Sequence, residues 1–356
     1  MSTKTGRGHG SRPKAASERN RLPHRKSPVT LAEVAKLANV SEITVSRTLR
    51  NDGQVAEATR KKVKAAADLV GYVPNRIAGS LASAQSNFIG VIIPSLTNIV
   101  FPEVLRGIHA AVVGSPFQPV VSVTDYNIET EETLVRSLLA WKPAAMILTG
   151  FDHTDATRQM LKRSGIRIAE IMDIDPAPID LAVGLSHRRA GIETGQYLFK
   201  RGYRRFGYAG HDWTADRRAH VRFEGLREGL AQSGLLIQAQ ALFDGPSSTA
   251  AGSAMTAQLL QASPKIDVAV YSNDDMALGG VFHCMKSGIP VPETLAIFGF
   301  NGLEIGDCLP KRLSTLRSNR FLIGKTAVEK ILQSLEERSG PQVIDTGYEI
   351  VAGETA

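Results

Sequence analysis

From Phe88 to about Val351, short and nearly continuous apolar runs alternate with stretches of helical periodicity. The runs are FIGVIIPSL, PVVSVTDY, AAMILTG, IRIAEIMD, AVGLSH, RRFGYAG, DVAVYSND and LAIFGFNG. Helical patterns occupy 104–113, 130–141, 188–200, 216–231 and 274–286 between them. Strands that are apolar along their whole length belong to parallel sheets covered by helices on both faces. So many strands exceed one Rossmann unit, and two similar α/β lobes are expected. AVGLSH followed by HRRAGIETGQYLFKRG reads as the passage to a second lobe, near residue 187. RLSTLR, near residue 315, reads as the return. A last helix over 321–335 and the strand YEIVAG then rejoin the first lobe or lie across the hinge.

Ligands in such folds bind beyond the carboxyl ends of the strands. Two lobes place those ends around one cleft that can close on a small molecule. The polar residues at strand ends are Ser95, Thr97, Asp125, Tyr126, Thr149, Glu170, Asp173, His187, Asn273, Asp274 and Asn301. Arg222 sits early in a helix, beside Arg217 and Arg218. A guanidinium there can hold a carboxylate or phosphate through two parallel bonds. Asn273 suits hydroxyl groups. Taken singly, each of these residues reads equally well as ordinary loop polarity, except Arg222 and Asn273, for which that reading is weaker.

The charge is placed at one end. The chain carries +7, whereas residues 1–28 alone carry +7 and residues 29–77 a further +3, which leaves the remainder at −3. A basic end on a mildly acidic body points to an anionic polymer as partner for that end. Residues 1–28 have the composition of a flexible arm.

Residues 29–50, VTLAEVAKLANVSEITVSRTLR, carry two helix starts. Thr30 with Glu33 makes a capping box, and Leu31, Val34, Ala35 and Leu37 recur at helical spacing. Asn39 and Val40 break the pattern, Ser41 is a second cap, and a new helix runs over 44–49. Val45 and Leu49 face inward. Glu42, Ile43, Ser46, Arg47 and Arg50 remain on the outer face. Helix, tight turn and helix in this length suit a DNA-binding unit whose second helix enters a major groove. Arg47 can meet phosphate or guanine, Glu42 cytosine, and Ile43 a thymine methyl. A third helix spans 57–69, with Arg60, Lys61, Lys62 and Lys64 placed for phosphates. Asn75 then caps a weak helical segment, NRIAGSLASAQS. Its Leu81 suits packing on the next domain or a partner chain, or a wedge between base steps in the minor groove.

The runs TLAEVAKLANVSEITVSRTLR, TRKKVKAAADLVGYVPNRIAGSLA and FIGVIIPSL together resemble the LacI-type bacterial transcriptional repressors. The resemblance extends from Val29 to about Val351. Behind the flexible basic arm at 1–28, it implies a three-helix helix-turn-helix domain at 29–73 and a hinge helix and linker at 74–87. A two-lobed periplasmic-binding-protein-like domain with parallel sheets follows at 88–351. It implies major-groove reading by Glu42 and Ile43, with Ser46 and Arg47 following, and places Leu81 at the intercalating hinge leucine. The expected DNA-contact set is therefore Thr30, Ser41, Glu42, Ile43, Thr44, Ser46, Arg47, Arg50, Asn75, Arg76 and Leu81.

The same resemblance assigns effector contacts to Arg222 in RFEG and Asn273 in SNDD. The expected ligand set is Ser95, Asp125, Thr149, Glu170, Asp173, His187, Arg218, Arg222, Asn273 and Asn301. Many members carry an aspartate where GFNG has Asn301, a departure that argues against a neutral sugar. GFNG, EIMD and GLSHRRAG together resemble the gluconate-utilisation repressors, which implies gluconate or a phosphorylated sugar acid as effector. It also implies a homodimer on double-stranded operator DNA, in the cytoplasm.

Other functions find little support. The chain has no Walker lysine motif, no G-x-G-x-x-G after the first strand, no H-E-x-x-H and no G-x-S-x-G elbow, so no enzyme and no cofactor are expected. An extracytoplasmic solute-binding protein would explain two lobes but not the helix-turn-helix, and the N-terminal stretch lacks an apolar signal region. Cys284 and Cys308 form no metal or disulfide framework.

Overall fold

The computed structural model describes residues 29–49, 55–73, 86–214, 216–263, 265–336 and 340–356. Arg50, Asn75, Arg76 and Leu81, the basic arm and nearly all of the expected hinge lie outside the described residues. The chain separates into two compact units, Met1–Gly79 and Ser80–Ala356.

The first unit holds α1 (Leu31–Ala38), α2 (Glu42–Leu49) and α3 (Glu57–Val70). Thr30 and Glu33 cap α1 reciprocally, as the spacing requires. Asn39 ends α1 in the left-handed region at φ 52°, a conformation asparagine tolerates better than most residues, and so turns the chain sharply. Val34, Ala35, Ala38, Val45, Val63, Ala66 and Ala67 form one small core. Leu37, expected on the inner face, is 52% exposed, and Ala38 takes the buried place. Ala38 lies on the helical row of Val34, whereas Leu37 projects beyond the shallow three-helix contact.

The second unit contains two six-stranded sheets. The first has the order β11-β5-β4-β3-β1-β2 and is parallel throughout. Its strands are β1 (Phe88–Ile93), β2 (Gln118–Val123), β3 (Ala145–Thr149), β4 (Arg167–Ile171), β5 (Leu181–Gly184) and β11 (Gln342–Asp345). The second has the order β12-β10-β9-β8-β6-β7. It comprises β6 (Phe206–His211), β7 (Ile237–Phe243), β8 (Val268–Tyr271), β9 (Ala296–Asn301), β10 (Ser314–Ser318) and β12 (Tyr348–Val351). Only β12 runs antiparallel, against β10. YEIVAG therefore belongs to the second sheet, neither rejoining the first lobe nor lying across the hinge. After β10 the chain enters α12 (Arg320–Glu336) and β11 in the first lobe, then crosses a third time into β12. Gly347, at φ 68°, sits at this last crossing.

The connecting helices are α4 (Val100–Val112), α5 (Ile128–Ala140), α6 (Asp155–Ser164), α7 (His187–Lys200), α8 (Arg217–Ala231), α9 (Thr249–Ala262), α10 (Asp274–Ser287) and the short α11 (Glu304–Asp307). α4 starts a turn earlier than its apolar pattern suggests. Pro102 falls in its first turn, where a missing N–H costs nothing. The apolar cluster on the inner faces is continuous from Ile89 and Phe101 to Phe298 and Leu316, so it spans both lobes. Helices α7 and α8 touch backbone to backbone. A Cβ at Gly191 would meet the Arg222 carbonyl, and one at Gly225 the Arg188 carbonyl. This contact fixes the helix that carries the arginines. No helix among the described residues is long and apolar enough to cross a membrane. Cys284 is buried, Cys308 is exposed, and both are free.

Glu170, expected at the cleft, instead faces the α5–α6 side of the first sheet. Its strand alternates, and its register partner Leu148 lies in the cluster on that side. The Ile179 N–H donates to Glu170, and its Oε1 lies 3.3 Å from His153 Nε2. His153 Nδ1 lies 2.6 Å from Glu131 Oε1. Burial alone would depress the His153 pKa, but the two flanking carboxylates outweigh it and hold it at about 9. The folded value exceeds the ordinary 6.5, so this stabilisation is complete below pH 6.5 and is lost as pH rises through about 9. Its size is on the order of 3 kcal/mol at most. Chemical denaturation at pH 6.5 and pH 9.5 should show the wild-type chain losing stability over that interval. His153→Gln should be less stable at the lower pH, with a flatter profile; an unchanged slope would remove His153 as its source.

Candidate DNA-reading helix and ligand cleft

In the first unit, three of the expected DNA-contact residues have hydrogen-bonding duties within the fold. The Glu33 N–H donates to Thr30 Oγ1 at 3.4 Å, and the Thr44 N–H to Ser41 Oγ at 3.2 Å. The Ser41 and Thr44 hydroxyls lie 2.9 Å apart. Thr48 donates to the Thr44 carbonyl at 2.8 Å and is buried, which locks α2 onto the core. Glu42, Ile43 and Arg47 are exposed on one face of α2, and Ser46 is half-buried beside them. Ile43 is 68% exposed. On α3, Lys61, Lys62 and Lys64 are exposed, while Arg60 lies 3.8 Å from Glu57.

In the second unit, the expected ligand residues divide into those that converge and those already engaged elsewhere. Ser95 is buried and accepts N–H bonds from Thr97 at 3.1 Å and Asn98 at 3.2 Å. Thr149 donates to the Ile92 carbonyl at 3.2 Å, tying β3 to β1. Asp125 is exposed at φ 51°, and Tyr126 follows at φ 60°. This paired left-handed turn directs Tyr126 inward, where its hydroxyl accepts from Asn98 Nδ2 at 2.9 Å and feels Arg218 and Asp216 of the second lobe. Asp274 is wholly buried, accepting from the Leu303 N–H at 2.7 Å and the Thr315 hydroxyl at 2.6 Å. It is a structural brace.

Arg218, Arg222, Asp173 and His187 do converge. Asp216 caps α8, accepting from the Ala219 N–H at 3.2 Å, and lies 3.5 Å from both Arg218 Nε and His211 Nε2. Burial would raise its pKa, but His211 and the two arginines hold it well below the carboxylate range. Across the cleft, Asp173 accepts from the Ile174 and Asp175 N–H groups at 2.7 and 3.0 Å. Burial nonetheless lifts it to about 6, with Arg218 pulling the other way. His187 lies 2.8 Å from the Met172 carbonyl through Nε2 and 2.9 Å from Arg222 Nη1 through Nδ1. A carbonyl can only accept, so Nε2 carries the proton and Nδ1 accepts from the arginine. Burial, and then Arg222 and Arg218, keep this imidazole neutral by lowering its pKa well below normal.

Arg222 is more committed than its place in RFEG suggests. Its Nη2 donates to the Ser272 carbonyl at 2.9 Å, and its guanidinium lies 3.8 Å from the Phe300 ring centroid. The cavity beside it, lined by Thr194, Tyr208, Ser272 and Phe300, has a volume of about 20 Å³. Arg218 differs: its Nη1 is buried with no hydrogen-bond partner among the described residues. Arg217 points outward and meets Asp152 of the first lobe at 3.1 Å. Asn273 spends its carbonyl oxygen capping α10, accepting from the Met276 N–H at 3.0 Å. Asn301 is 8% exposed at φ 120°. A larger depression of about 490 Å³, lined by Lys142, Pro143, Arg163 and Ile166, lies where β3 and β4 begin. That is the opposite end of the sheet from the one where such folds take ligands.

Three residues that shape the cleft were absent from the expected set: Asp216, His211 and Asp152. Asp216 was legible as a cap immediately before a helix. His211 also meets the Ser272 hydroxyl at 2.9 Å and Asp152 pairs with Arg217, partners far along the chain that nothing local marks.

Residues 86–349 match the family described as periplasmic binding proteins and sugar binding domain of LacI family. Residues 30–75 match bacterial regulatory proteins, lacI family. The chain is 39% identical over 328 residues to the HTH-type transcriptional regulator GntR of Pseudomonas aeruginosa, covering 92% of this chain and 95% of that protein. A crystal structure of a LacI-family transcriptional regulator from Silicibacter pomeroyi is 45% identical with a TM-score of 0.87, covering 92% of this chain and 99% of its own. The lac repressor dimer bound to operator and the anti-inducer ONPF is 26% identical with a TM-score of 0.79, covering 92% and 99%. Together with the exposed face of α2 and the two-lobed body, these matches make the chain a member of the LacI family, a DNA-binding transcriptional regulator.

Proposed function

We propose that this regulator is a repressor of sugar-acid utilisation genes, gluconate foremost, released from its operator when the acid occupies the cleft. The observation that carries the reading is the buried Arg218 Nη1, without a hydrogen-bond partner among the described residues and one helical turn from Arg222. A guanidinium in that state is completed by an anion. A ligand carboxylate takes Arg218, while the amide of Asn273, Asp173 and Asn301 suit its hydroxyls. Arg222 sets the wall behind it through His187 and Ser272. The relatedness to GntR, with the GFNG, EIMD and GLSHRRAG runs, supports gluconate within this class.

The chain works in the cytoplasm as a homodimer, with two linked heads on one operator. Glu42, Ile43, Ser46 and Arg47 read base edges, and Lys61, Lys62 and Lys64 hold phosphates. Closure of the cleft shifts the first lobes across the dimer. The heads lose their matched spacing, and with it the affinity gained by linkage. The lac repressor dimer on its operator provides the structural precedent for that arrangement.

A thermal-shift series tests the ligand class. Gluconate, 6-phosphogluconate or a ketogluconate should raise the melting temperature, by about 2.7 kcal/mol of added stability at a hundredfold excess over Kd. Neutral sugars should not. Arg218→Ala should weaken acid binding by about 1.5–3 kcal/mol, the usual range for a bond to a charged group, and leave DNA binding intact. Equal acid affinity in the variant would take Arg218 out of the pocket.

The pH dependence of binding has a defined sign. Asp173, held at about 6, takes up its proton as pH falls from 7 to 5. Its lost charge leaves Arg218 more positive toward the ligand, so calorimetric affinity for the acid should tighten over that range. Asp173→Asn should bind tightly with a flat profile; weakening toward pH 5 in the wild-type chain contradicts the assignment. For the DNA head, affinity for duplex should fall steeply with salt, the mark of phosphate contacts. No duplex binding at low salt would overturn the regulatory reading itself.

A further inference from the structure

Arg320 joins the two lobes at a point outside the anion site. Its backbone opens α12, which packs on the first sheet and touches α4 so closely that a Cβ at Gly107 would meet the Phe321 carbonyl. Its guanidinium, only 7% exposed, reaches two places at once. It donates to Glu103 Oε2 on α4, at 2.8 Å from Nε and 2.7 Å from Nη2. It also donates to the Asn301 carbonyl and, at 3.5 Å, to the Gly302 carbonyl, where β9 ends in the second lobe.

We propose that Arg320 is the positioning residue that transmits ligand occupancy at Asn301 to α4 of the first lobe. The proposal rests on reading the cleft as the effector site. The turn after β9 is unusual on both sides. Asn301 has φ 120° and Gly302 φ 68°, positive values that leave the turn little freedom to relax locally. Its far end is pinned by the Leu303 N–H bond to the buried Asp274. A ligand group drawing on Asn301 therefore moves its carbonyl, the acceptor that Arg320 holds. A buried cation cannot shed partners without a desolvation penalty that exceeds the work of shifting a helix end. The displacement passes to Glu103 and to α4. Two further charged links between the lobes, Arg217 with Asp152 and Arg189 with Asp345, are partly exposed and screened by salt, so they transmit less.

The test uses the full chain, gluconate as probe, and a duplex selected on the wild-type chain from a randomised pool. Arg320→Lys keeps a charge but cannot hold Glu103 and both carbonyls together. Glu103→Gln keeps the shape of α4 and removes the charged acceptor. In the wild-type chain gluconate should weaken duplex binding about tenfold or more, within the usual span for coupled sites. In either variant gluconate should still bind by thermal shift, while its effect on duplex affinity falls to about twofold or less, below that span. A full response in both variants overturns the proposal.

A second arm needs no ligand. Asn301→Gly should change hydrogen exchange at the α4 amides of 100–106, and should not do so when combined with Arg320→Lys. A signal that reaches α4 without Arg320 overturns the proposal as well. If gluconate fails to bind the wild-type chain, the effector reading falls alone, and this second arm still decides the role of Arg320.

Discussion

Two guanidinium groups one turn apart, withdrawn from water at the mouth of a strand-end cleft, set the terms for the second unit. Arg218 and Arg222 repel one another, and each needs neutralisation to stay buried. Asp216 supplies one full negative charge, held ionised by the arginines themselves and by His211. Asp173 supplies a second, which it gives up as pH falls through about 6. His187 contributes none, because the same cations keep it neutral. The charges nearly balance at neutral pH, yet Arg218 Nη1 still meets no hydrogen-bond acceptor among the described residues.

The DNA head solves a different problem with few residues. Its core is built from seven small or branched side chains, too little to tolerate an imperfect helix end. That is why the Thr30 capping box, the Asn39 left-handed turn and the Thr48 bond to the Thr44 carbonyl carry so much of its definition. Once these fix α2, Glu42, Ile43 and Arg47 stand exposed on one face. Ile43 is the apolar member of that face.

What could be read from the sequence follows from how each element is buried. Strands such as β1 and β8 are covered on both faces and announce themselves as apolar runs. β7 was missed because it is an edge strand whose burial alternates through IQAQALF, and β11 because QVID is short and half-exposed. YEIVAG was found as a strand but given the wrong sheet: an antiparallel edge strand reads the same whichever lobe it joins. Glu170 was assigned to the cleft because it lies near a strand end, yet proximity to an end does not tell which face a side chain takes. The pairing of β4 with β3 decides that, and it sends Glu170 to His153. Arg222 was recognised and its surroundings were not, since His187, Ser272 and Phe300 come from three separate segments.

The chain crosses between lobes three times, and this limits how a ligand can act on the molecule. Within each lobe, helix pairs such as α7–α8 and α4–α12 meet through glycines with no slack for a methyl group. Such contacts make the lobes stiff, because close-packed interfaces move between discrete arrangements and do not deform smoothly. A change begun at the strand ends of the second lobe must therefore leave through a crossing or through a side chain that bridges one. The first crossing carries His187 and the second Arg320, each bonded to a strand-end carbonyl of the opposite lobe: His187 to Met172, Arg320 to Asn301. The two bridges point in opposite directions across the same hinge. Each lobe thus holds a polar tie to the strand ends of the other where the chain crosses between them.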